Sequence, residues 1–262
     1  MTVSAPTYSE LPTRLVITDS QKQQYQDQGF FVLENIIPPA HLEAMRGACQ
    51  QEMDKKDAEM ESLGVDKLGI NHKGSRYFLP FLSQENAGVR RFIFSDLMAD
   101  ICRATVGPDA FLFLDQYVVK AAEKGMSFSW HQDEGYIPYP NPPYVGCWCA
   151  LDDVSEANGT VYNLPYAEAG TRSKVTHVRD EATNDMVGYF GDAPGVPVIA
   201  PAGSIAVFSS TCFHRSGFNR TDKMRRAYLV QYSQAPITTD DGTGVRHLAE
   251  PFLQDGRNVA RL

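Results

Sequence analysis

The stretch Phe128-Ser129-Trp130-His131-Gln132-Asp133 decides which fold this chain is expected to adopt. Its first residues are typical of a β-strand, and residues i and i+2 of a strand point to the same face. His131 and Asp133 can therefore direct an imidazole and a carboxylate to one point. His214 offers a second imidazole, and the 83 positions between the two histidines (214 − 131) leave room for several strands to run out and return. The pattern predicts a metal site within a β-rich fold.

The ligand types indicate which metal this site would hold. Two imidazoles and one carboxylate with open coordination positions are the facial triad of oxygen-activating non-haem Fe(II) proteins. A His-x-Asp pair alone is common by chance, so the alternative is a surface pair and an unrelated histidine. His41, His177 and His247 have no partner pattern and are read as ordinary histidines.

The segment after His214 favours the metal site over the chance pair. A polar turn over residues 220–223 leads into a strand-like run over 224–232, which begins with Arg225 and Arg226. A guanidinium can hold a carboxylate through two hydrogen bonds. Because neighbouring residues of a strand face opposite sides, one of the two arginines can point into the site.

Several ordered motifs match a known family. They are residues 130–133, 148–153, 158–159, 201–204, 208 and 214–225. On these motifs the chain resembles the phytanoyl-CoA dioxygenase (PhyH-type) family of Fe(II)/2-oxoglutarate-dependent dioxygenases, over about residues 20–235. One departure is Leu164-Pro165-Tyr166-Ala167-Glu168, where many relatives carry Pro-Gly-Ser/Thr-His.

The resemblance implies a role for each matching residue. His131, Asp133 and His214 become the iron ligands and catalytic residues. The arginine that binds 2-oxoglutarate in such enzymes lies 11 positions after the second histidine, which selects Arg225 (225 − 214). The residues assigned to the same co-substrate site are Ser216, Trp148 and Gln116.

The resemblance also implies an activity. We expect hydroxylation of an unactivated C–H bond of a small-molecule metabolite, with Fe(II), 2-oxoglutarate and O2 as cofactor and co-substrates and with release of succinate and CO2. Related halogenases replace the carboxylate ligand with a small residue, so Asp133 favours hydroxylation. The alternatives are desaturation, epimerisation or ring formation at the same iron in natural-product biosynthesis. A cupin-like isomerase, sensor or binding module remains a further alternative, and it would not need Arg225 or Ser216.

Two segments are predicted to contact the substrate. Residues 134–144 follow the ligands directly, and their prolines and tyrosines suit a wall over the iron. Its candidate residues are Glu134, Tyr136 and Tyr139. Residues 71–78 concentrate polar groups, of which Lys73 and Arg76 are candidates. The alternatives are a proline-rich surface loop and a solvated basic loop.

The order of predicted elements gives the fold class. A capping box at Thr18–Gln21 and Gly29 bound a first helix, and apolar periodicity predicts a second helix over residues 40–63. Ser83 is predicted to cap a third helix that reaches Ile101. Strand-like sequence then runs to about residue 234. Helices followed by strands predict a mainly β protein with flanking helices, in which N-terminal helices buttress a double-stranded β-helix (jelly-roll, cupin-like) core.

We expect this fold to be a single domain over residues 1–262. The helical part lies at about 18–106 and the jelly-roll core at about 110–234. The tail over residues 235–262 has no predicted structure.

Composition narrows the possible partners. The 262 residues are 43% hydrophobic, and the net charge of −8 argues against nucleic acid and acidic membranes as partners. No stretch is long and apolar enough to span a bilayer, and residues 1–6 lack the organisation of a signal peptide. Five cysteines without a C-x-x-C pair indicate reduced thiols, hence a cytoplasmic location. We expect a small-molecule substrate and a monomer or homodimer.

Overall fold

Helices and short strands precede the long strands of this protein. A computed structural model describes residues 15–123, 126–181, 183 and 185–261, so the expectation about residues 1–6 lies outside it. Within these ranges the α-helices are α1 (Asp19–Gln28), α2 (Pro39–Ser62), α3 (Ala87–Ile93), α4 (Asp96–Thr105) and α5 (Tyr166–Ala169). The strands are β1 (Phe30–Leu33), β2 (Lys67–Leu68), β3 (Asn71–His72), β4 (Arg76–Pro80), β5 (Ala110–Lys120), β6 (Phe128–His131), β7 (Val145–Ala150), β8 (Val161–Asn163), β9 (Val178–Arg179), β10 (Met186–Val187), β11 (Val196–Pro197), β12 (Ile205–Ser209), β13 (His214–Ser216), β14 (Arg225–Ser233), β15 (Glu250–Gln254) and β16 (Arg257–Asn258).

The first two helices agree with the sequence prediction. Thr18 caps α1 with its side chain, Gln21 completes the capping box, and Gly29 ends the helix at φ 90° in the left-handed region that favours glycine. Helix α2 covers residues 39–62 and buries an apolar stripe that includes Leu42 and Met45.

The prediction of one continuous third helix capped by Ser83 is wrong. Ser83 lies in a 3-10 turn, where its backbone N and its hydroxyl both donate to the buried carboxylate of Asp115. Asn86 caps α3 and Ser95 caps α4. The first short helix therefore begins after Asn86, and Ser95 interrupts the apolar run and begins the second. Each capping side chain accepts hydrogen bonds from backbone N–H groups at the start of its helix, which have no partner within that helix.

Two antiparallel sheets form the β core. The larger sheet has the order β1-β12-β7-β14-β5-β4-β3-β2, and β15 also pairs with β5. The smaller sheet has the order β11-β8-β13-β6. Helices α2, α3 and α4 pack on the outer face of the larger sheet, in one extensive apolar cluster. This arrangement is the predicted jelly roll with buttressing helices.

Alternation along β14 separates the inside of the jelly roll from the helix-facing side. Tyr228 and Val230 pack in the cluster beneath the helices. Ala227 and Leu229 pack instead in a second cluster with Trp148, between the two sheets. The same rule directs side chains at the odd-numbered positions 225 to 231 of β14, and at positions 116, 118 and 120 of β5, toward the interior. A register shift between Gln231 and Tyr232 changes the alternation in the first part of β5, where Ala110 and Leu112 face the helices.

The tail that had no sequence prediction joins the larger sheet. Strand β15 pairs with β5, and Phe252 is fully buried against Phe94 and Tyr232. Glu250 forms an ion pair with Arg90 of α3. Among the described helices, none combines the length and the apolar character needed to cross a membrane.

Candidate active site

Three side chains converge at the end of β6 and the start of β13. His131 and His214 are register partners in the smaller sheet, and their ring centroids lie 4.2 Å apart. Asp133 Oδ1 lies 3.4 Å from His214 Nε2 and 3.9 Å from His131 Nε2. One ligand atom from each residue falls within 4.8 Å of the others. The spacing allows the three to bind one metal ion.

The backbone orients both imidazoles toward this point. His131 Nδ1 lies 2.8 Å from the carbonyl oxygen of Ser129, and His214 Nδ1 lies 3.1 Å from that of Cys212. A carbonyl oxygen can only accept, so each Nδ1 carries a proton, and in the neutral ring each Nε2 presents a lone pair. This is the arrangement that metal-binding histidines require.

The electrostatics of the three groups also fit a metal cation. Burial, and then His214, lower the pKa of His131 to about 3, so this imidazole is neutral. Although burial opposes ionisation of Asp133, the two histidines and a hydrogen bond from Gln231 give it a lowered pKa. Burial lowers the pKa of His214, but Asp133 outweighs it and the net shift is upward. A neutral imidazole and a carboxylate are the ligand forms that a divalent metal selects.

Gln132 and His177 hold the ligand segment in place. Gln132 is extended, with φ −104° and ψ 138°, so His131 and Asp133 reach the same side although Asp133 begins a 3-10 turn. The buried Gln132 amide donates to the carbonyl oxygens of Ser173 and Thr211. Its backbone N donates to His177 Nε2 at 2.9 Å. His177 was read as an ordinary histidine, and no sequence pattern connects it with residue 132.

Gln231 contacts the carboxylate ligand directly. Its Nε2 donates to Asp133 Oδ2 at 2.7 Å, which leaves Oδ1 facing the two imidazoles. Its Oε1 is buried without a partner among the described residues. Sequence reasoning missed Gln231, although its separation of six positions from Arg225 places both on one face of β14.

The two neighbouring arginines of β14 face opposite sides, as predicted. Arg225 is 1% exposed, lies 5.4 Å from the Trp148 ring centroid, and donates to the carbonyl oxygen of Gly159 at 3.0 Å. Its Nε is buried and has no partner in the described part of the chain. Burial lowers the pKa of Arg225 to about 10. Arg226 faces outward and pairs with Asp152 at 2.7 Å.

Ser216 lies across the interior from β5. Lys120 Nζ donates to Ser216 Oγ at 2.8 Å and also to the carbonyl oxygen of Gly217. Because the lysine donates, the serine hydroxyl proton is free to donate elsewhere. Sequence reasoning missed Lys120, whose only signal is that it continues the inward-facing alternation of Gln116 and Val118.

The other two co-substrate candidates also lie on inward-facing positions. Trp148 is buried in the interior cluster, with Cys147 and Cys149 on the opposite face. Gln116 is the register partner of Leu229, which shares the interior cluster with Trp148.

Two of the five substrate candidates lie near the metal ligands. The Tyr136 ring meets the His131 ring edge-on, with centroids 5.7 Å apart. The Phe128 ring centroid lies 5.6 Å from that of His131, and the Arg76 guanidinium lies 5.2 Å from the Phe128 ring centroid. Arg76 therefore reaches the surroundings of the metal ligands from β4.

The other three candidates make contacts of a structural kind. Glu134 is buried and accepts a hydrogen bond from the Ser210 hydroxyl. Tyr139 packs beside a small apolar cluster of Phe113, Ile137, Tyr144 and Ile237. Lys73 lies in a turn, with its ammonium group 3.9 Å from exposed Glu61.

A cavity of about 620 Å³ lies where β6 and β13 pair. Its lining includes Phe128 and Ser216, which also border the interior, together with Tyr162 and Arg215. None of the three candidate ligands lines it. The cavity therefore borders the strands that carry His131 and His214 but not these two side chains.

Comparison with known proteins agrees with this geometry. Residues 25–227 match the family described as phytanoyl-CoA dioxygenase (PhyH). The chain belongs to this family. The matched region contains the three metal ligands, Arg225 and every co-substrate candidate.

Individual relatives are distant but extend over most of the chain. Human peroxisomal phytanoyl-CoA dioxygenase is 23% identical over 84% of this chain and 69% of its own length. A probable alpha-ketoglutarate-dependent hypophosphite dioxygenase of Stutzerimonas stutzeri is 22% identical over 91% of this chain and 86% of its own length. A solved structure, the non-heme alpha ketoglutarate dependent carbocyclase SnoK from nogalamycin biosynthesis, superposes with a TM-score of 0.67 at 17% identity, covering 84% of this chain and 85% of that one.

Family membership and the superposition confirm three of the sequence predictions. The fold is a mainly β jelly roll, the protein is an Fe(II)/2-oxoglutarate-dependent oxygenase, and its metal site is a His/Asp/His triad.

Proposed function

We propose that this protein hydroxylates an unactivated C–H bond of a small-molecule metabolite, with consumption of 2-oxoglutarate and O2 and release of succinate and CO2. The observation that carries the proposal is the convergence of His131, Asp133 and His214 in the same interior as a buried arginine with an unpartnered Nε. A metal triad needs no such arginine, whereas a dicarboxylate co-substrate does.

The metal ligands are His131, Asp133 and His214 in this proposal. Bound Fe(II), together with 2-oxoglutarate and O2, supplies the oxidising chemistry. The chain contributes two neutral imidazoles held by Ser129 and Cys212 and one carboxylate held by Gln231. Asp133 fills the ligand position that a halide would need, so we expect oxidised and not chlorinated products.

Arg225 and Ser216 bind the distal carboxylate of 2-oxoglutarate. The unpartnered Arg225 Nε and the free Ser216 hydroxyl proton are both donors, and both lie in the interior. Trp148 supports the guanidinium from one side at 5.4 Å. Gln116 completes the wall of this co-substrate site from β5.

Tyr136 and Arg76 are the residues that we propose to contact the substrate. Tyr136 contacts the His131 ring, and Arg76 lies against Phe128, which contacts the same ring. The contacts of Glu134, Tyr139 and Lys73 support a role in holding their segments and not in touching the substrate.

We also propose one catalytic domain, a monomer or homodimer, and a cytoplasmic location. The pairing of β15 with β5 supports the assignment of the C-terminal tail to the same domain as the jelly-roll core. All five cysteines are free and buried, which fits a reducing compartment, although the human relative is named as peroxisomal. The net charge of −8 supports a small molecule and not nucleic acid as the partner.

Desaturation, epimerisation and ring formation are alternative outcomes, because they begin from the same iron centre and depend on how the substrate lies. The likeness to a carbocyclase, at 17% identity, bears on the fold alone. A cupin-like metal-binding protein without oxygenase activity is the competing class.

Slow turnover of 2-oxoglutarate in the absence of the prime substrate distinguishes an oxygenase from a cupin-like metal-binding protein. We expect the Fe(II)-loaded protein to convert 2-oxoglutarate to succinate under air, and we expect His131→Ala, Asp133→Ala and His214→Ala each to abolish stoichiometric Fe(II) binding while the fold is retained. Circular dichroism and metal analysis provide the controls. Succinate formation that persists in these variants would contradict the assignment.

A further inference from the structure

A buried hydrogen-bond acceptor without a donor lies next to a metal ligand. The Gln231 side chain belongs to a residue that is 2% exposed, and its Nε2 donates to Asp133 Oδ2 at 2.7 Å. A carboxylate that binds a metal can only accept, so the nitrogen of this amide must face Asp133 and the orientation of the amide is fixed. The other amide atom, Oε1, is therefore an acceptor, and it is buried without a hydrogen-bond partner among the described residues.

The neighbours of Gln231 explain why its Oε1 meets no donor. Its register partners on the two adjacent strands are Gly146 of β7 and Leu114 of β5, and neither has a polar side-chain atom. Across the interior lies Asp133, which only accepts. A buried polar atom that stays unpaired is costly, so such atoms are usually paired with a bound water or a ligand. We therefore expect a bound group to supply the missing donor.

The co-substrate cannot supply this donor. At neutral pH 2-oxoglutarate carries two carboxylates and a keto group, and all of their oxygens only accept hydrogen bonds. In the proposed function its distal carboxylate binds Arg225, which lies on the same face of β14 as Gln231 but six positions away. Six positions of an extended strand span about 20 Å. Gln231 is therefore at the end of the strand opposite to the residue that binds the distal carboxylate.

Gln231 lies on the side of the segment over residues 134–144, which is predicted to contact the substrate. Leu114, its register partner on β5, packs against an apolar cluster that includes Ile137 of that segment. Asp133, which holds the nitrogen of the same amide, begins the 3-10 turn that leads into the segment. A group bound to Gln231 Oε1 would therefore lie near both a metal ligand and this segment.

We propose that the prime substrate carries a hydrogen-bond donor, a hydroxyl or an N–H group, that binds to Gln231 Oε1. The target C–H bond then lies on a carbon near that group, on its metal side. The inference rests on the proposed function and adds the substrate class, which is a polar molecule with a donor group and not a plain hydrocarbon chain. Gln231 is then a specificity-determining residue in addition to its contact with Asp133.

Binding of matched small probes to the loaded protein tests the proposal. One pair is propane-1,2-diol with 1,2-dimethoxypropane, and the other is acetamide with N,N-dimethylacetamide, because methylation removes the donors and keeps the acceptors. The protein is saturated with Mn(II) and 2-oxoglutarate, and the proton relaxation of each probe near Mn(II) is titrated by NMR. We expect at least one donor probe to bind roughly 5- to 100-fold more tightly than its methylated counterpart, which leaves the buried acceptor unpaired. The pair that discriminates distinguishes a hydroxyl from an N–H group.

The variant Gln231→Leu separates the effect of the hydrogen bond from that of probe size. It should bring the two members of the discriminating pair to similar affinities, since their difference in size remains but the acceptor is gone. Saturating Mn(II), checked by electron paramagnetic resonance, keeps the metal occupancy equal. The matched control is Gln50→Leu, because Gln50 Nε2 also donates to a carboxylate, that of Asp54 at 2.8 Å, but on the exposed surface of α2. This control should keep the wild-type preference.

Two results would overturn the substrate class without touching the oxygenase assignment. One is equal affinity within both pairs in wild type, or no binding of any probe, since a water molecule and not the substrate would then be the partner of Oε1. The other is a donor preference that persists in Gln231→Leu, since another residue would then recognise the donor. Wild-type succinate formation without prime substrate, measured alongside, keeps these failures separate from failure of the proposed function.

Discussion

At the scale of single residues, Arg225 and Arg226 form a natural pair of test and control. Arg225 is buried with an unpartnered Nε, whereas Arg226 is bound to Asp152 on the outer face. Arg225→Gln should raise the KM for 2-oxoglutarate, because losing one partner of a buried charge pair costs about 2–5 kcal/mol, or roughly 30-fold to several thousandfold in affinity. Arg226→Gln should change this KM little. Steady-state kinetics of succinate formation check both predictions. Equal effects would mean that the assignment of Arg225 to the inner face of β14 and Arg226 to the outer face is wrong.

Gln231 supports a second residue-scale prediction. Its amide N donates to Asp133 Oδ2, so it fixes which carboxylate oxygen faces the metal. Gln231→Leu removes this donor at similar volume, and loss of such a supporting contact typically weakens metal binding by about 10- to 100-fold. Titration with Mn(II), followed by electron paramagnetic resonance, measures the affinity directly. An unaltered Mn(II) affinity in a folded variant would mean that Gln231 contributes to packing and not to metal binding.

At the scale of elements, the segment after Asp133 divides into two parts with different roles. Tyr136 contacts the His131 ring, whereas Tyr139 belongs with a separate apolar cluster. Tyr136→Ala should let succinate form ahead of oxidised product, because the substrate is less well positioned. Tyr139→Ala should mainly lower the unfolding temperature. Quantifying succinate and product together tests the division, and equal uncoupling in both variants would contradict it.

The C-terminal strand is a further element with a predicted consequence. Phe252 of β15 is fully buried against Phe94 and Tyr232, so the strand attaches the helices to the larger sheet. Phe252→Ala should destabilise the protein by about 3–5 kcal/mol, as is usual for a buried phenylalanine. Chemical denaturation measures the change. The exposed Val259→Ala offers a control on the same tail, with a much smaller expected effect.

Elements with local signals were predictable from the sequence, and contacts between distant strands were not. The capping box of α1 and the His131–Asp133 spacing depend on neighbours within a few positions, and both are present in the structure. The alignment of Arg76, Lys120 and Arg225 depends on the register between β4, β5 and β14, which no local pattern specifies. The third helix was mispredicted for a similar reason, because the partner of Ser83 is Asp115, 32 positions away.

At the scale of the whole molecule, the site is divided between the two sheets. Strands β6 and β13 of the smaller sheet carry His131 and His214, and Asp133 lies in the turn after β6. The larger sheet carries Gln231 and the basic residues Arg76, Lys120 and Arg225. Two hydrogen bonds, from Lys120 to Ser216 and from Gln231 to Asp133, connect the two sheets across the interior. Helices α2, α3 and α4 pack on the outer face of the larger sheet. The relative position of the candidate metal ligands and of Arg225 therefore depends on the packing of the two sheets.

Metal binding should consequently stabilise the whole fold, and should do so less in acid. A ligand at 100 times its Kd adds about 2.7 kcal/mol to the free energy of unfolding. In the metal-free protein the pKa of His214 is raised, because Asp133 outweighs the effect of burial, so a proton must leave this imidazole before a metal can bind. As pH falls from about 8 to about 5, through the ordinary histidine range, protons compete with the metal and its stabilisation shrinks. The measurement is the rise in unfolding temperature on adding Mn(II) at several pH values. Asp133→Ala should show little rise at any pH, and a rise in wild type that is independent of pH would mean that the metal is bound elsewhere.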